Sequence, residues 1–154
     1  MWDALQSWPG AVALRGSPVL YLLVNAAHIL GIGLIVGPIL ALDARLLGLA
    51  RHIPIGVVGP FLAAVAKLGV GLAIVTGLGL FSVQPANYAD NPAFLLKLLI
   101  LVLAIANAVS VDRGRAWKQA IETNEIAAVL RWEAAASSML WITVLVAGRW
   151  IGFV

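Results

Sequence analysis

The sequence predicts an all-α, polytopic membrane protein: a four-helix bundle of up-down connectivity with a short N-terminal helix on the membrane surface. Three observations carry this. Hydrophobic residues make up 62% of the 154, and charged residues only 11%, against roughly 25% charged in an average soluble domain. The mean hydropathy is +1.01. The apolar residues also gather in four stretches long enough for a bilayer core, which takes about 20 residues of helix. No water is available there to satisfy the backbone, so helices fit these lengths. Such a composition excludes a soluble globular enzyme and a disordered tail. It also excludes a nucleic-acid module, because the ten Lys and Arg are dispersed through apolar chain and form no basic stripe.

The chain, 1–154, reads as one integral membrane domain with spans at about 18–42, 60–83, 93–111 and 130–150. The first span contains no Asp, Glu, Lys or Arg. Ser17 is suited to cap it and Pro18 to open it. Its length, and the lack of a basic segment at its start, distinguish it from a cleavable signal. The second span begins at Pro60, or earlier at Pro54, and carries one charge, Lys67. Asn91 and Pro92 repeat the cap-then-proline signal before the third span, whose one charge is Lys97. The fourth is the least clean, since it must extend across Arg131 and Glu133. Residues 116–125 read as a polar surface helix. Trp2 and Trp8 mark the N-terminal segment as interfacial.

Orientation follows the basic residues. Arg45 and Arg51 follow span one, and Arg113, Arg115, Lys118 and Arg131 follow span three, whereas residues 84–91 contain none. The positive-inside rule places both termini outside. The expected location is a bacterial inner membrane, with both termini periplasmic. The connection between spans two and three is short, which predicts that they are neighbours. Helix contact is expected through Ala27, Gly31, Gly33 and Gly37 on span one and Gly69, Gly71, Gly77 and Gly79 on span two, because small residues let backbones approach in lipid.

Cysteine is absent, which removes disulfides and thiolate chemistry. The polar residues inside the spans are therefore the candidates. His28 lies eleven residues beyond Ser17, about 16 Å at 1.5 Å per residue and close to the midplane. Asn25 and Tyr21 share its helical face. The imidazole is either a packing residue satisfied by Asn25 or a carbonyl, or a ligand to haem, a metal or a proton. His52 lies about 36 Å further along a helical path and cannot share a metal with it. Lys97 and Arg149, at the outer ends of spans three and four, either snorkel or hold an anion such as a haem propionate or Asp90. Met139 has the depth of His28 and completes a His/Met haem pair, unless it only fills the core. Lys67 is expected to reach inward or to pair with Asp43, and Asp43 with Lys67 or Arg45. Asn107, Ser110, Glu133 and Ser137 read as helix-binding groups. An interior position is expected for His28, Asn25 and Ser137.

The stretches AHILGIGLIVGPILALDARLLGL (27–49), NPAFLLKLLILVLAIAN (91–107) and AGRWIGF (147–153) resemble a family of small bacterial inner-membrane proteins with no assigned activity. More distantly, a first-span histidine before a glycine-rich run, with a later lysine opening an apolar span, is similar to two groups. These are the copper-resistance D-like membrane proteins and the HemJ-type protoporphyrinogen oxidases, four-helix proteins that bind haem b. The second resemblance implies haem b with His28 as axial metal ligand and Lys97 beside it.

The first functional expectation is accordingly a haem-b redox or electron-transfer protein. His28 would be the ligand, with Lys97 and Arg149 at the propionates. The sixth position would be open, filled by Met139, or supplied by the partner's His28. The alternatives are a non-catalytic accessory or assembly subunit, as a homo-oligomer or in a larger membrane complex, and a copper-handling protein. Copper would favour more soft or imidazole ligands than two His and two Met. The partner common to all three is the lipid bilayer, and none involves nucleic acid. No Ser-His-carboxylate set converges, and no phosphate loop is present.

Overall fold

The computed structural model describes residues 2–150. Eight helices follow in order, with no strand among the described residues. They are α1 (Asp3–Ser7), α2 (Pro9–Gly16), α3 (Pro18–Leu47), α4 (Ile55–Val83), α5 (Pro85–Ala89), α6 (Pro92–Arg113), α7 (Arg115–Thr123) and α8 (Ala128–Trp150). Four of these, α3, α4, α6 and α8, are long and apolar enough to cross a membrane, and no more than 28% of any of their apolar windows is buried inside the chain. The remaining apolar surface faces outward, as lipid demands and water forbids. The protein is a membrane protein.

The helix starts follow the sequence signals. The Ser17 hydroxyl accepts from Leu20 N at 3.3 Å, and Pro18 supplies the first residue of α3. Asn91 Oδ1 accepts from Ala93 N at 2.9 Å and Phe94 N at 3.2 Å, capping α6. α4 starts at Ile55 and runs unbroken through Pro60, so the earlier proline is the boundary. α3 extends five residues past the expected end and takes Asp43 and Arg45 into the helix, where both are buried. Arg45 is thus no loop cation. Its Nε donates to the Ile53 carbonyl at 2.7 Å, and its Nη2 reaches Asn124 Oδ1 at 3.2 Å. The polar surface helix is α7, and the N-terminal segment forms two short helices rather than one.

The long helices alternate in direction, as residue pairs in contact show: His28 with Gly77 and Gly31 with Ala73 for α3 and α4, Lys97 with Gly148 for α6 and α8. One end of the bundle carries α1, α2 and α5. The other carries α7 and is called the α7 end below. Packing runs α4–α3–α8–α6. The expectation that spans two and three lie side by side is corrected: the backbones of α4 and α6 do not approach closely along their length. The connection between them holds a helix of its own, α5, which spaces them apart. Side chains bridge them instead. Phe81 stacks on Phe94 with ring centroids 5.8 Å apart at one end. Lys67 Nζ meets Asp112 Oδ2 at 2.8 Å toward the other.

The glycine expectation is half right. Gly31 and Gly69 form the close approach of α3 to α4, whereas Gly33, Gly37 and Gly71 have nothing within 4 Å of a Cβ position. Two apolar clusters hold the bundle. Leu46, Ile55, Trp117, Ala120, Leu130 and Ala134 pack at the α7 end. Ile35, Ala104, Trp141 and Val144 pack nearer the middle.

Candidate functional site

His28 projects from α3 toward α4. Its Nδ1 lies 2.9 Å from Thr76 Oγ1. The Thr76 hydroxyl is itself 2.6 Å from the Leu72 carbonyl, which can only accept. The single hydroxyl proton therefore goes to Leu72, and the threonine oxygen accepts from His28 Nδ1–H. Nε2 is then the nitrogen with the unshared lone pair. The ring lies against Gly77, where a Cβ would come within 3.1 Å of Cε1. A glycine there makes room for the imidazole, and the hydroxyl one residue earlier fixes its tautomer.

Lys97 approaches from α6. It is partly buried, and its stem lies on Gly148 of α8, where a Cβ would be 3.3 Å from both Cε and Nζ. Its ammonium is near enough to His28 for the two to interact electrostatically. No carboxylate pairs with Lys97 among the described residues. Among the described residues the region therefore combines a lone-pair nitrogen and a cation with no anion beside it, both on helices long and apolar enough to cross a membrane. Next to it, at the end carrying α5, Trp2, Phe81, Tyr88 and Phe94 form a continuous ring cluster. The Tyr88 phenol is pushed above the ordinary value by burial and by the neighbouring Tyr21 of α3.

Two expected members of the site lie elsewhere. Asn25 is exposed, and Thr76 takes the hydrogen-bonding role expected of it. Met139 is 71% exposed. It sits about 200° around α8 from Ser137 and Trp141 at 100° per residue, on the outward face. A His/Met pair does not form. Arg149 is exposed in the last turn of α8 and is engaged with another group. His52 is exposed in the α3–α4 connection. Ser137 is interior, 5% exposed.

A second polar group lies toward the α7 end. Asp43 is 4% exposed and accepts from Ser138 Oγ at 3.1 Å, with Ser137 beside it in the wall of the same cavity. Lys67 pairs with Asp112 rather than with Asp43, and Arg45 turns to the α3–α4 connection. Asp43, Lys67, Asn107, Asp112 and Ser137 line a cavity of about 90 Å³. The adjacent serines in an otherwise apolar helix were the signal for this group. Between the two regions Trp141 is 2% exposed, and its indole N–H has no acceptor among the described residues.

No three His, Cys, Asp or Glu side chains gather as a metal site among the described residues, so the copper reading has no ligand set there. No curated protein and no solved structure matches the chain. Nothing in the comparisons links it to the copper-resistance D-like or HemJ-type proteins. A family model described as a family of unknown function, DUF6644, matches residues 6–154. With nearly its whole length covered, the chain belongs to the DUF6644 family.

Proposed function

We propose that this protein binds haem b in the membrane, where His28 Nε2 would hold the iron and Lys97 would be the cation for a propionate. The observation that carries this reading is the hydrogen bond from His28 Nδ1 to Thr76 Oγ1 at 2.9 Å. A histidine ligand normally donates its other nitrogen to a fixed acceptor, which sets the tautomer and strengthens the ligating nitrogen. The donor set fits a haem held by one imidazole of this chain, since Met139 faces outward. Lys97 fits as well: it is a partly buried ammonium with no carboxylate partner among the described residues, and its stem packs on Gly148, where a larger residue would crowd it. When bound, haem would supply one-electron chemistry. The protein's part is to fix the imidazole through Thr76, balance the propionate charge through Lys97, and exclude water with apolar helices. The site lies in the half of the bundle nearer the end that carries α1, α2 and α5. The basic residues Arg51, Arg113, Arg115, Lys118 and Arg131 at the other end support a periplasmic location of both termini in an inner membrane.

The test is the absorption spectrum of protein purified from haem-sufficient cells. A Soret band with single-imidazole character is expected, and its absence would overturn the reading. A second reading, a subunit of a homo-oligomer or larger membrane complex, is favoured by Gly33 and Gly37. They are exposed in GxxxG spacing with nothing within 4 Å of either Cβ position. Co-purification of a second membrane protein in mild detergent, lost in Gly37→Leu, would support it.

A further inference from the structure

The Asp43 group is independent of the haem reading. Asp43 lies 15 residues along α3 from His28, about 22 Å at 1.5 Å per residue. It is a buried carboxylate that accepts from the Ser138 hydroxyl of α8 at 3.1 Å, with Ser137 beside it in the cavity wall. No cation neutralises it among the described residues. Arg45, on its own helix, is committed to the Ile53 and Arg51 carbonyls and to Asn124. Lys67 of α4 is committed to Asp112 of α6. Glu133 of α8 meets the group through its backbone carbonyl, which accepts from Asn107 Nδ2 at 3.3 Å. That bond leaves the Asn107 carbonyl oxygen for the cavity. α7 contributes Trp117 to the wall and no charge.

An ionised carboxylate in an apolar interior is costly unless its charge is balanced. Ionisable residues retained inside membrane spans commonly mark proton relays and ion paths. The cavity beside Asp43 has a volume of about 90 Å³, room for a few waters at ~30 Å³ each. It has a mouth as well: Lys67 and Asp112 line it while their side chains are 65% and 41% exposed. Asp112 is one residue from the end of α6, so the mouth opens near the membrane boundary at the α7 end.

We propose that Asp43 is a proton-binding site, taking up a proton from water that enters past the Lys67–Asp112 pair and returning it by the same route. Ser138 occupies Oδ2, so the proton goes to Oδ1. The acid O–H then donates to a cavity water or to the Asn107 carbonyl oxygen. The step is a protonation alone, and no bond other than O–H forms or breaks.

Dicyclohexylcarbodiimide tests this on the full chain in lipid nanodiscs, because it enters membranes and adds to a carboxyl group only in its acid form. Site mapping by mass spectrometry should place the adduct on Asp43. Its yield should rise as pH falls, and the adduct should be lost in Asp43→Asn. Wild-type infrared spectra should show a protonated-carboxyl band that shifts in deuterium oxide, so the test does not depend on a variant folding. Glutaminyl and asparaginyl replacement of the gate, Lys67→Gln with Asp112→Asn, should speed labelling severalfold. Two results would overturn the proposal. One is an unmodified Asp43 at every pH, with no such infrared band. The other is labelling suppressed by sodium and indifferent to pH, which would make the cavity a metal-cation site.

Discussion

Gly31 of α3 and Gly69 of α4 face each other with no room for a side chain on either. A Cβ on Gly69 would stand 2.8 Å from the Leu34 carbonyl carbon and 2.9 Å from the Gly31 carbonyl oxygen. Both atoms are backbone and cannot swing aside. Gly69→Ala should therefore lower stability in detergent by about 1–3 kcal/mol, the usual cost of overpacking. Gly33→Ala, with nothing within 4 Å, should be neutral or slightly stabilising, because alanine favours helix over glycine. Thermal unfolding of the two variants side by side checks the contrast.

Asn124 ties the α7 end together. Its Oδ1 accepts from Ile55 N at 2.9 Å and from Arg45 Nη2 at 3.2 Å, and its φ of 61° is left-handed. Asparagine tolerates that conformation better than most residues. Asn124→Ala should cost about 2–4 kcal/mol, since it strands a buried guanidinium donor and the first N–H of α4 and adds backbone strain. Asn124→Gly should recover only the strain part. Denaturant unfolding followed by tryptophan fluorescence would measure both.

Thr76→Val keeps the shape of the side chain and removes the acceptor for His28 Nδ1–H. Its effect on fold stability should be small, about 0.6 kcal/mol by the average for membrane hydrogen bonds. Its effect on haem should be larger: weaker retention and a changed reduction potential, with Thr76→Ser restoring both. Lys97→Met should weaken haem binding while leaving the ligation spectrum as in the parent. A Lys97→Met spectrum with altered ligation would mean that the lysine, and not the histidine, governs the metal.

Tyr88 gives a pH test outside the spans. Its phenol ionises above the ordinary value because burial and Tyr21 disfavour the phenolate. The folded state therefore holds the neutral form more tightly than the unfolded state does. The stability this provides is complete below the ordinary phenol range, about 10, and is lost as pH rises through the folded-state value. An absorbance titration should show a late tyrosine phase that disappears in Tyr88→Phe and on unfolding.

The helices were legible because their signals are local. Ser17-Pro18 and Asn91-Pro92 act within one turn of themselves, and the apolar runs declare their own lengths. His28 as the central candidate was also legible, as one imidazole in an uncharged span. Its partner was not: Thr76 lies 48 residues away, and threonine in an apolar helix usually bonds its own backbone, as Thr76 also does to Leu72. Helical periodicity and depth point to Asn25 and Met139, but they fix spacing along a helix and not which face meets a neighbour. The Asp43 group depends on α3 meeting α8: the adjacent serines of α8 mark a polar spot, but not its partner on α3. The separation of α4 from α6 was hidden because α5 lies within the connection, and loop length alone suggested adjacency.

Whether His28 holds haem is decided by a haem titration of the detergent-solubilised protein. Wild-type protein should take up haem to a defined stoichiometry with a Soret shift typical of imidazole ligation. His28→Ala should fold with the same helix content and show no such shift, and added imidazole should restore part of it. A His28→Ala protein that binds haem as the wild type does, with the same spectrum, would remove His28 as the ligand and leave the membrane-subunit reading in its place.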